Sequence, residues 1–195
     1  MKGYYKLRKK ALEVLHTKLA DNLHYHGVSH TLDVLKVCNA YIKREGIPGH
    51  EAKLLRIGAL LHDIGFTVSH ENHEERGATI AQNMMTYYGF SKKDIAVVKG
   101  LIMSTKIPQT PSTKLEEIIC DADLDYLGRS DFEQISQKLY EELKSLSLIT
   151  DKSEWNRTQI RFLEAHTYHT EFAKRNRRPS KKERIKELKK LLASS

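Results

Sequence analysis

The residue pair His62-Asp63 stands directly after an apolar run, residues 52–61. The run has the spacing of a buried helix, and Gly65 offers a place for that helix to end. An imidazole nitrogen and a carboxylate oxygen would then emerge side by side from a hydrophobic core, as donors for a borderline divalent cation. For an isolated pair, a histidine that caps its own helix beside a surface aspartate is the commoner explanation. The metal hypothesis therefore depends on partners elsewhere in the chain.

Two further pairs of polar residues could supply those partners. His26 and His30 are four residues apart near the start of the next helix upstream, so their imidazoles could point the same way if that helix begins early. Asp121 and Asp123 stand within the apolar run 118–124, where buried carboxylates are costly unless they bind something. Together these residues predict a site with both nitrogen and oxygen donors.

Helical periodicity and capping signals predict the elements that must hold these side chains. Apolar residues recur at three- and four-residue spacing, and no segment alternates in the way that a half-buried strand does. Ser91, Ser130 and Ser180 each begin a capping-box pattern, which indicates further helix starts. The predicted helices include residues 4–20, 29–46, 52–61, 74–88, 115–124, 132–146 and 154–175. We therefore predict an all-α fold, a single helical bundle with the site at its centre.

Charge is distributed unevenly along the 195 residues. The net charge of +8 comes from residues 173–195, which hold ten Lys or Arg and two Glu, whereas residues 1–172 carry 23 basic and 23 acidic side chains. We expect a domain over 1–172 followed by a basic C-terminal helix or tail over 173–195. A neutral body disfavours a nucleic-acid partner, which would favour a continuous basic groove. The oligomeric state stays open.

The location of the protein is indicated by three features of the sequence. No apolar run approaches the roughly 20 residues that span a bilayer, so no membrane partner is expected. The N-terminus lacks the apolar segment of a secretory signal. Cys38 and Cys120 lie in apolar helical patterns, as buried reduced thiols do. The sequence predicts a cytoplasmic protein.

His30, the doublet His62-Asp63 and Asp123 resemble the H…HD…D signature of the HD-domain metal-dependent phosphohydrolases, over about residues 20–130. The segment Tyr25-His26-x-x-x-His30 is similar to the form in the cyclic-nucleotide phosphodiesterase branch and in related bacterial HD hydrolases. The resemblance implies an HD-type bundle in which these four residues bind a divalent ion (Mn, Mg, Zn, Co or Fe). A second ion would use Asp63 as a bridge, with His73 as a further ligand.

The same resemblance implies a mechanism, in which His26 and Asp63 are the catalytic residues. Metal-activated water would attack phosphorus while His26 protonates the leaving oxygen as general acid. The expected substrate is a phosphomonoester or phosphodiester of a nucleotide-like small molecule. Two alternatives stay open: a weakly catalytic module that senses a nucleotide, and a di-iron oxygenase.

The chain departs from its relatives at two positions. Many relatives carry a charged residue or histidine three residues after the doublet, where this chain has Phe66. Dinuclear members usually add two further histidines, one of them near residues 102–106, and this chain has no histidine there. The second departure favours hydrolysis over di-iron chemistry.

Several other residues are weaker candidates for the site. His70, His73 and Glu74 follow the doublet and resemble a helix start that lines the site in relatives, although Glu74 could simply favour the helix N-terminus. Further candidates for substrate contact or ligand support are Thr105, Lys106 and Asp121; Lys106 could equally be a solvated loop residue. His166 and His169 would share a face of the 154–175 helix, where we expect packing rather than metal binding.

Overall fold

The computed structural model describes residues 2–194, and within this range every regular element is a helix. This confirms the predicted all-α fold. None of the described helices is long and apolar enough to cross a membrane. Short 3₁₀ helices cover Ile64–Thr67 and Asp125–Gly128. The α-helices are α1 Lys2–Lys18, α2 Val28–Arg44, α3 Gly49–Leu61, α4 His73–Tyr87, α5 Lys92–Ser104, α6 Lys114–Asp123, α7 Phe132–Ser145, α8 Lys152–Ala165, α9 Glu171–Asn176 and α10 Arg178–Ala193.

The described residues form two compact units. The first comprises residues 2–21 and 26–123, and the second comprises residues 22–25 and 124–194. All of the residues in the predicted metal site fall in the first unit. The boundary predicted between residues 172 and 173 rests on charge rather than on packing, and it stays a prediction.

Helix α3 is the centre of the first unit. It packs against α1, α2, α5 and α6, and from Ile57 onward no polar residue interrupts it. Ile57, Leu60 and Leu61 are fully buried, as expected of a helix with neighbours on several sides. His62 and Asp63 follow at its end and are themselves buried. The apolar helix thus delivers two polar residues to the interior of the unit.

The second unit has a core of its own, to which the basic C-terminal segment contributes. Leu188 of α10 is buried in it, although α10 carries seven Lys or Arg and only two Glu. Next to this core the Arg177 guanidinium donates to the buried carboxylate of Asp125 at 2.7 and 3.2 Å. The buried core residues are Tyr25, Leu124, Tyr126, Leu127, Phe132, Ile160, Leu163, Tyr168, Ala173 and Leu188.

The helix predicted over 154–175 is wrong beyond residue 165. Helix α8 ends at Ala165, and His166 adopts extended backbone angles. The Lys181 ammonium donates to the carbonyls of Leu163 (2.8 Å) and His166 (2.5 Å), which a continuing helix would have used itself. His166 and His169 therefore do not share a helix face.

One of the three predicted capping boxes is present in part, since the Ser91 side chain caps α5 whereas the Asp94 carboxylate pairs with His50. The Ser91 hydroxyl accepts the Asp94 N–H at 3.1 Å. At the second position α7 begins after Asp131 rather than after Ser130, and the Asp131 carboxylate pairs with a guanidinium instead of capping. At the third, α10 begins at Arg178, so Ser180 lies inside the helix. Proline at the first turn of α10 suits that earlier start.

Candidate metal centre

Four side chains from three parts of the first unit converge at the end of α3. His30 lies in the first turn of α2, His62 and Asp63 follow α3, and Asp123 ends α6. The Nε2 atom of His30 is 3.0 Å from Asp123 Oδ1 and 3.2 Å from Nε2 of His62. Asp63 Oδ2 is 3.1 Å from His62 Nε2 and 3.4 Å from His30 Nε2. The structure thus brings together the four residues that the H…HD…D pattern picked out.

Three of these residues form the tightest group. The donor atoms of His30, His62 and Asp123 all lie within 4.8 Å of one another. Asp63 reaches both imidazoles but is not part of that mutual group. Asp121 is fully buried in α6 and is not part of it either; two residues apart on a helix, Asp121 and Asp123 point in nearly opposite directions. Of the two carboxylates in this apolar run, Asp123 is the one at the cluster.

The hydrogen-bonding roles of the cluster leave a lone pair directed at its centre. His62 Nδ1 is 3.0 Å from the Ala59 carbonyl, which can only accept, so Nδ1 carries a proton. In the neutral ring Nε2 is then an acceptor, and it faces another imidazole nitrogen and carboxylate oxygens. Asp63 Oδ2 is buried, and its contacts with the Nε2 atoms of His62 and His30, at 3.1 and 3.4 Å, lack the geometry of a hydrogen bond. Lone pairs on two nitrogen and two oxygen atoms thus face one another, and such a set of ligand atoms fits a divalent cation.

The carboxylates of the cluster attract positive charge to its centre, where a proton on His62 Nε2 and a divalent cation would be alternatives. Burial lowers the pKa of His62, but the carboxylates of Asp63 and Asp123 outweigh it and hold that pKa well above its ordinary value. Burial raises the pKa of Asp63, but the facing imidazoles hold it well below its usual range. The pKa of Asp123 is likewise raised by burial, yet hydrogen bonds from His30 and His62 bring it down to about 2. Both carboxylates stay ionised, so the site attracts positive charge.

His26 lies beside the cluster but not on the helix. Helix α2 begins at Val28 with Gly27 as its N-cap, so the early start that would have put His26 on α2 is wrong. The His26 ring, which is half-buried, nevertheless lies 6.1 Å from the ring of His30, centroid to centroid. The two imidazoles meet edge to face rather than pointing the same way.

His73 and Glu74 reach the site from the first turn of α4. His73 Nε2 is 3.3 Å from Glu74 Oε1 and 3.9 Å from Asp63 Oδ1. Glu74 is buried, and burial lowers the pKa of His73 despite these two carboxylates. A second nitrogen-and-oxygen group therefore adjoins the first, with Asp63 common to both.

Gly65 has a different role from the one expected. Helix α3 ends at Leu61, so Gly65 does not end it but lies in the 3₁₀ helix that follows. A Cβ atom here would lie 1.8 Å from the His73 carbonyl oxygen and 2.9 Å from the Gly77 backbone nitrogen. Only glycine allows the start of α4 to come this close. The sequence offered no signal for this contact, which depends on the packing of α4.

The remaining candidates lie further out or have other partners. His70 is exposed, and its ring is 6.5 Å from that of His73. Thr105 is buried and donates its hydroxyl to the Ile102 carbonyl at 2.8 Å. The Lys106 ammonium pairs with the Glu75 carboxylate at the surface. None of these contacts involves the four converging side chains.

Comparison with known proteins supports the same conclusion. The sequence profile of the HD domain matches residues 27–125, about half of the chain. The chain therefore belongs to the HD domain family, whose members are generally metal-dependent phosphohydrolases that bind divalent metals. His26 lies one residue before the matched segment. No curated protein and no solved structure matches the chain significantly.

Proposed function

We propose that this chain is a metal-dependent phosphohydrolase that cleaves a phosphomonoester or phosphodiester of a nucleotide-like small molecule. The observation that carries the proposal is the meeting of His30 Nε2, His62 Nε2 and Asp123 Oδ1 within 4.8 Å. Buried acceptors arranged in this way are costly without a cation. Membership of the HD family supports both the metal and the reaction class.

The residues that would hold a divalent ion are His30, His62, Asp63 and Asp123. When bound, the ion polarises a phosphoryl oxygen and lowers the pKa of a water molecule towards neutrality. The residues that would hold a second ion are Asp63, His73 and Glu74, which lie next to one another.

Other residues of the protein orient the His62 ligand and donate a proton to the leaving group. The Ala59 carbonyl holds His62 by its Nδ1–H and thereby directs Nε2 to the centre. His26 stands beside the cluster and is half-buried, so its ring edge can reach the leaving oxygen of a substrate. As general acid it would contribute about 10²–10⁴ in rate.

A small substrate suits the charge around the site better than a polymer. Outside the basic C-terminal segment, acidic and basic side chains balance, and Lys106 on the nearby surface is paired with Glu75. A long nucleic acid would favour a row of unpaired cations.

The experiment that tests the proposal combines metal analysis with a substrate panel. The full chain is depleted of metal and supplied in turn with Mn, Mg, Zn, Co and Fe. Each form is assayed with cyclic and linear nucleotides and with bis-p-nitrophenyl phosphate. Asp123→Asn should lose bound metal and activity together, whereas Asp21→Asn, an exposed aspartate, is the matched control.

Each alternative predicts a different result. Tight metal binding without turnover of any phosphoester would contradict hydrolysis and favour nucleotide sensing. Iron at about two per chain with oxygen consumption would establish the oxygenase.

A further inference from the structure

The ring of Phe66 stacks on two imidazoles at the edge of the metal cluster. Its centroid is 4.2 Å from that of His26, with an interplanar angle of 20°, and 4.0 Å from that of His73, with an angle of 29°. The ring of His70 meets it edge-on at 5.6 Å. Phe66 is only 5% exposed, so it cannot itself stack on a substrate. The two imidazoles on which it stacks, those of His26 and His73, are half-buried side chains of the site.

The backbone around Phe66 is tied to the metal-site doublet. Its N–H donates to the Asp63 carbonyl at 3.0 Å, and the Thr67 hydroxyl closes the same turn onto Ile64 at 2.7 Å. The close contact of Gly65 with α4 packs this turn in place. The Phe66 ring is therefore positioned relative to Asp63 by a short, rigid path.

His26 is held differently, because it does not lie on a helix. It lies in the bend that precedes α2, so helix geometry does not direct its side chain. The terminal torsion of a histidine is broad, and proton donation requires the ring edge to be aimed at the acceptor. Stacking covers a face of the imidazole, whereas both nitrogens lie in the plane of the ring.

We propose that Phe66 is a positioning residue that sets the plane of the His26 imidazole, so that its N–H is aimed at the leaving oxygen. The proposal rests on the proposed phosphohydrolase function and on His26 as the proton donor. Phe66 itself touches no reacting atom. Substitution of Phe66 should therefore slow only the step in which His26 protonates the leaving oxygen.

The test compares leaving groups that differ in their need for an acid. p-Nitrophenolate departs without protonation, whereas methoxide requires it. The substrate pairs are the p-nitrophenyl and methyl esters of thymidine 5′-phosphate, and p-nitrophenyl phosphate with methyl phosphate. In Phe66→Leu we expect kcat for the methyl ester to fall about 10- to 100-fold, with KM unchanged and the p-nitrophenyl ester affected less than about threefold.

Three further variants separate positioning from general disruption. Phe66→Tyr keeps the ring and should restore most of the methyl-ester rate. The double variant His26→Ala/Phe66→Leu should be no slower than His26→Ala alone, because both changes remove the same contribution. Phe90→Leu, the same change at a phenylalanine that contacts α1, should leave the ratio of the two rates unchanged.

NMR detects the stacking of Phe66 on His26 and His73 independently of activity. The ring current of Phe66 should shift ring protons of His26 and His73 upfield, and Phe66→Leu should abolish that shift. A stack that is present while Phe66→Leu slows both esters equally, or neither, overturns the positioning role and leaves the proposed function standing. Failure of the wild-type protein to cleave any of the four esters contradicts the proposed function, and the positioning role falls with it.

Discussion

Gly65 and His73 approach so closely that a Cβ atom on Gly65 would lie 1.8 Å from the His73 carbonyl oxygen. This contact seats the first turn of α4 directly on the 3₁₀ turn that follows the His62-Asp63 doublet. It thereby brings the His73 imidazole to within 3.9 Å of Asp63. A backbone contact without any catalytic group thus determines which side chains surround the candidate metal centre.

Gly65→Ala should therefore displace α4 and weaken the protein. The added methyl group meets backbone rather than a side chain that could move aside, and we expect a loss of about 1–3 kcal/mol in the free energy of unfolding. Denaturant titration measures it. The matched control is Gly49→Ala, where nothing lies within 4 Å of the new Cβ, and a small gain of up to about 1 kcal/mol is expected. Equal stability of the two variants would contradict the close contact.

Asp123→Asn and Asp121→Asn should separate the two carboxylates of α6. Because only Asp123 lies at the cluster, its amide variant should weaken metal binding by more than about 100-fold, beyond the loss expected for a residue that merely supports a ligand. Asp121→Asn should retain metal. Metal content after dialysis, with circular dichroism as a check on folding, measures both. Retention of metal by Asp123→Asn alone would show that the other carboxylate is the ligand.

His26→Ala should keep its metal and lose rate. The substitution removes a proton donor but none of the four converging groups, so we expect turnover of esters with poor leaving groups to fall about 10²–10⁴-fold. His24→Ala, an exposed histidine two residues away, serves as the control in the same assays. Metal loss in His26→Ala comparable to that in His62→Ala would remove the acid role.

Removal of the metal should destabilise the first unit. A cation that binds only the folded cluster adds about 2.7 kcal/mol of stability at a free concentration 100 times its Kd. Thermal unfolding with and without chelator should show a lower Tm for the stripped protein. Asp123→Asn should show no such difference. A chelator effect that survives in this variant would place the cation elsewhere.

The N-cap of α8 should make the stability of the second unit depend on pH. The Glu154 N–H donates to Asp151 Oδ1 at 2.8 Å, and this hydrogen bond lowers the pKa of Asp151. A carboxyl group whose pKa is lowered by folding stabilises the protein above its unfolded pKa of about 3.9 and loses that effect as the pH falls further. Asp151→Ala should therefore unfold at a lower temperature than wild type at pH 7, with the difference shrinking below about pH 4. Asp151→Asn should retain the cap at both pH values.

Local sequence was sufficient for the helical fold and for the donor residues. The apolar residues 57–61 before His62-Asp63 require burial, whatever packs against them. A carboxylate in a second apolar run is costly without a partner. These features depend on residues close together in the chain, and the helices that carry them are present. Capping patterns predicted the wrong helix start where more than one residue could begin the helix. Ser180 matched a capping pattern, yet a start at Arg178 with proline in its first turn prevailed.

Only the tertiary structure decided which distant atoms meet. His30 and Asp123 are 93 residues apart, and their 3.0 Å separation follows from the packing of α2 against α6. The stacking of Phe66 on His26 and the seat of α4 on Gly65 likewise depend on how separate helices pack. Periodicity shows which face of a helix is buried but not what that face touches. The sequence by itself therefore determined the chemistry available to this protein, and packing between helices determined how that chemistry is assembled.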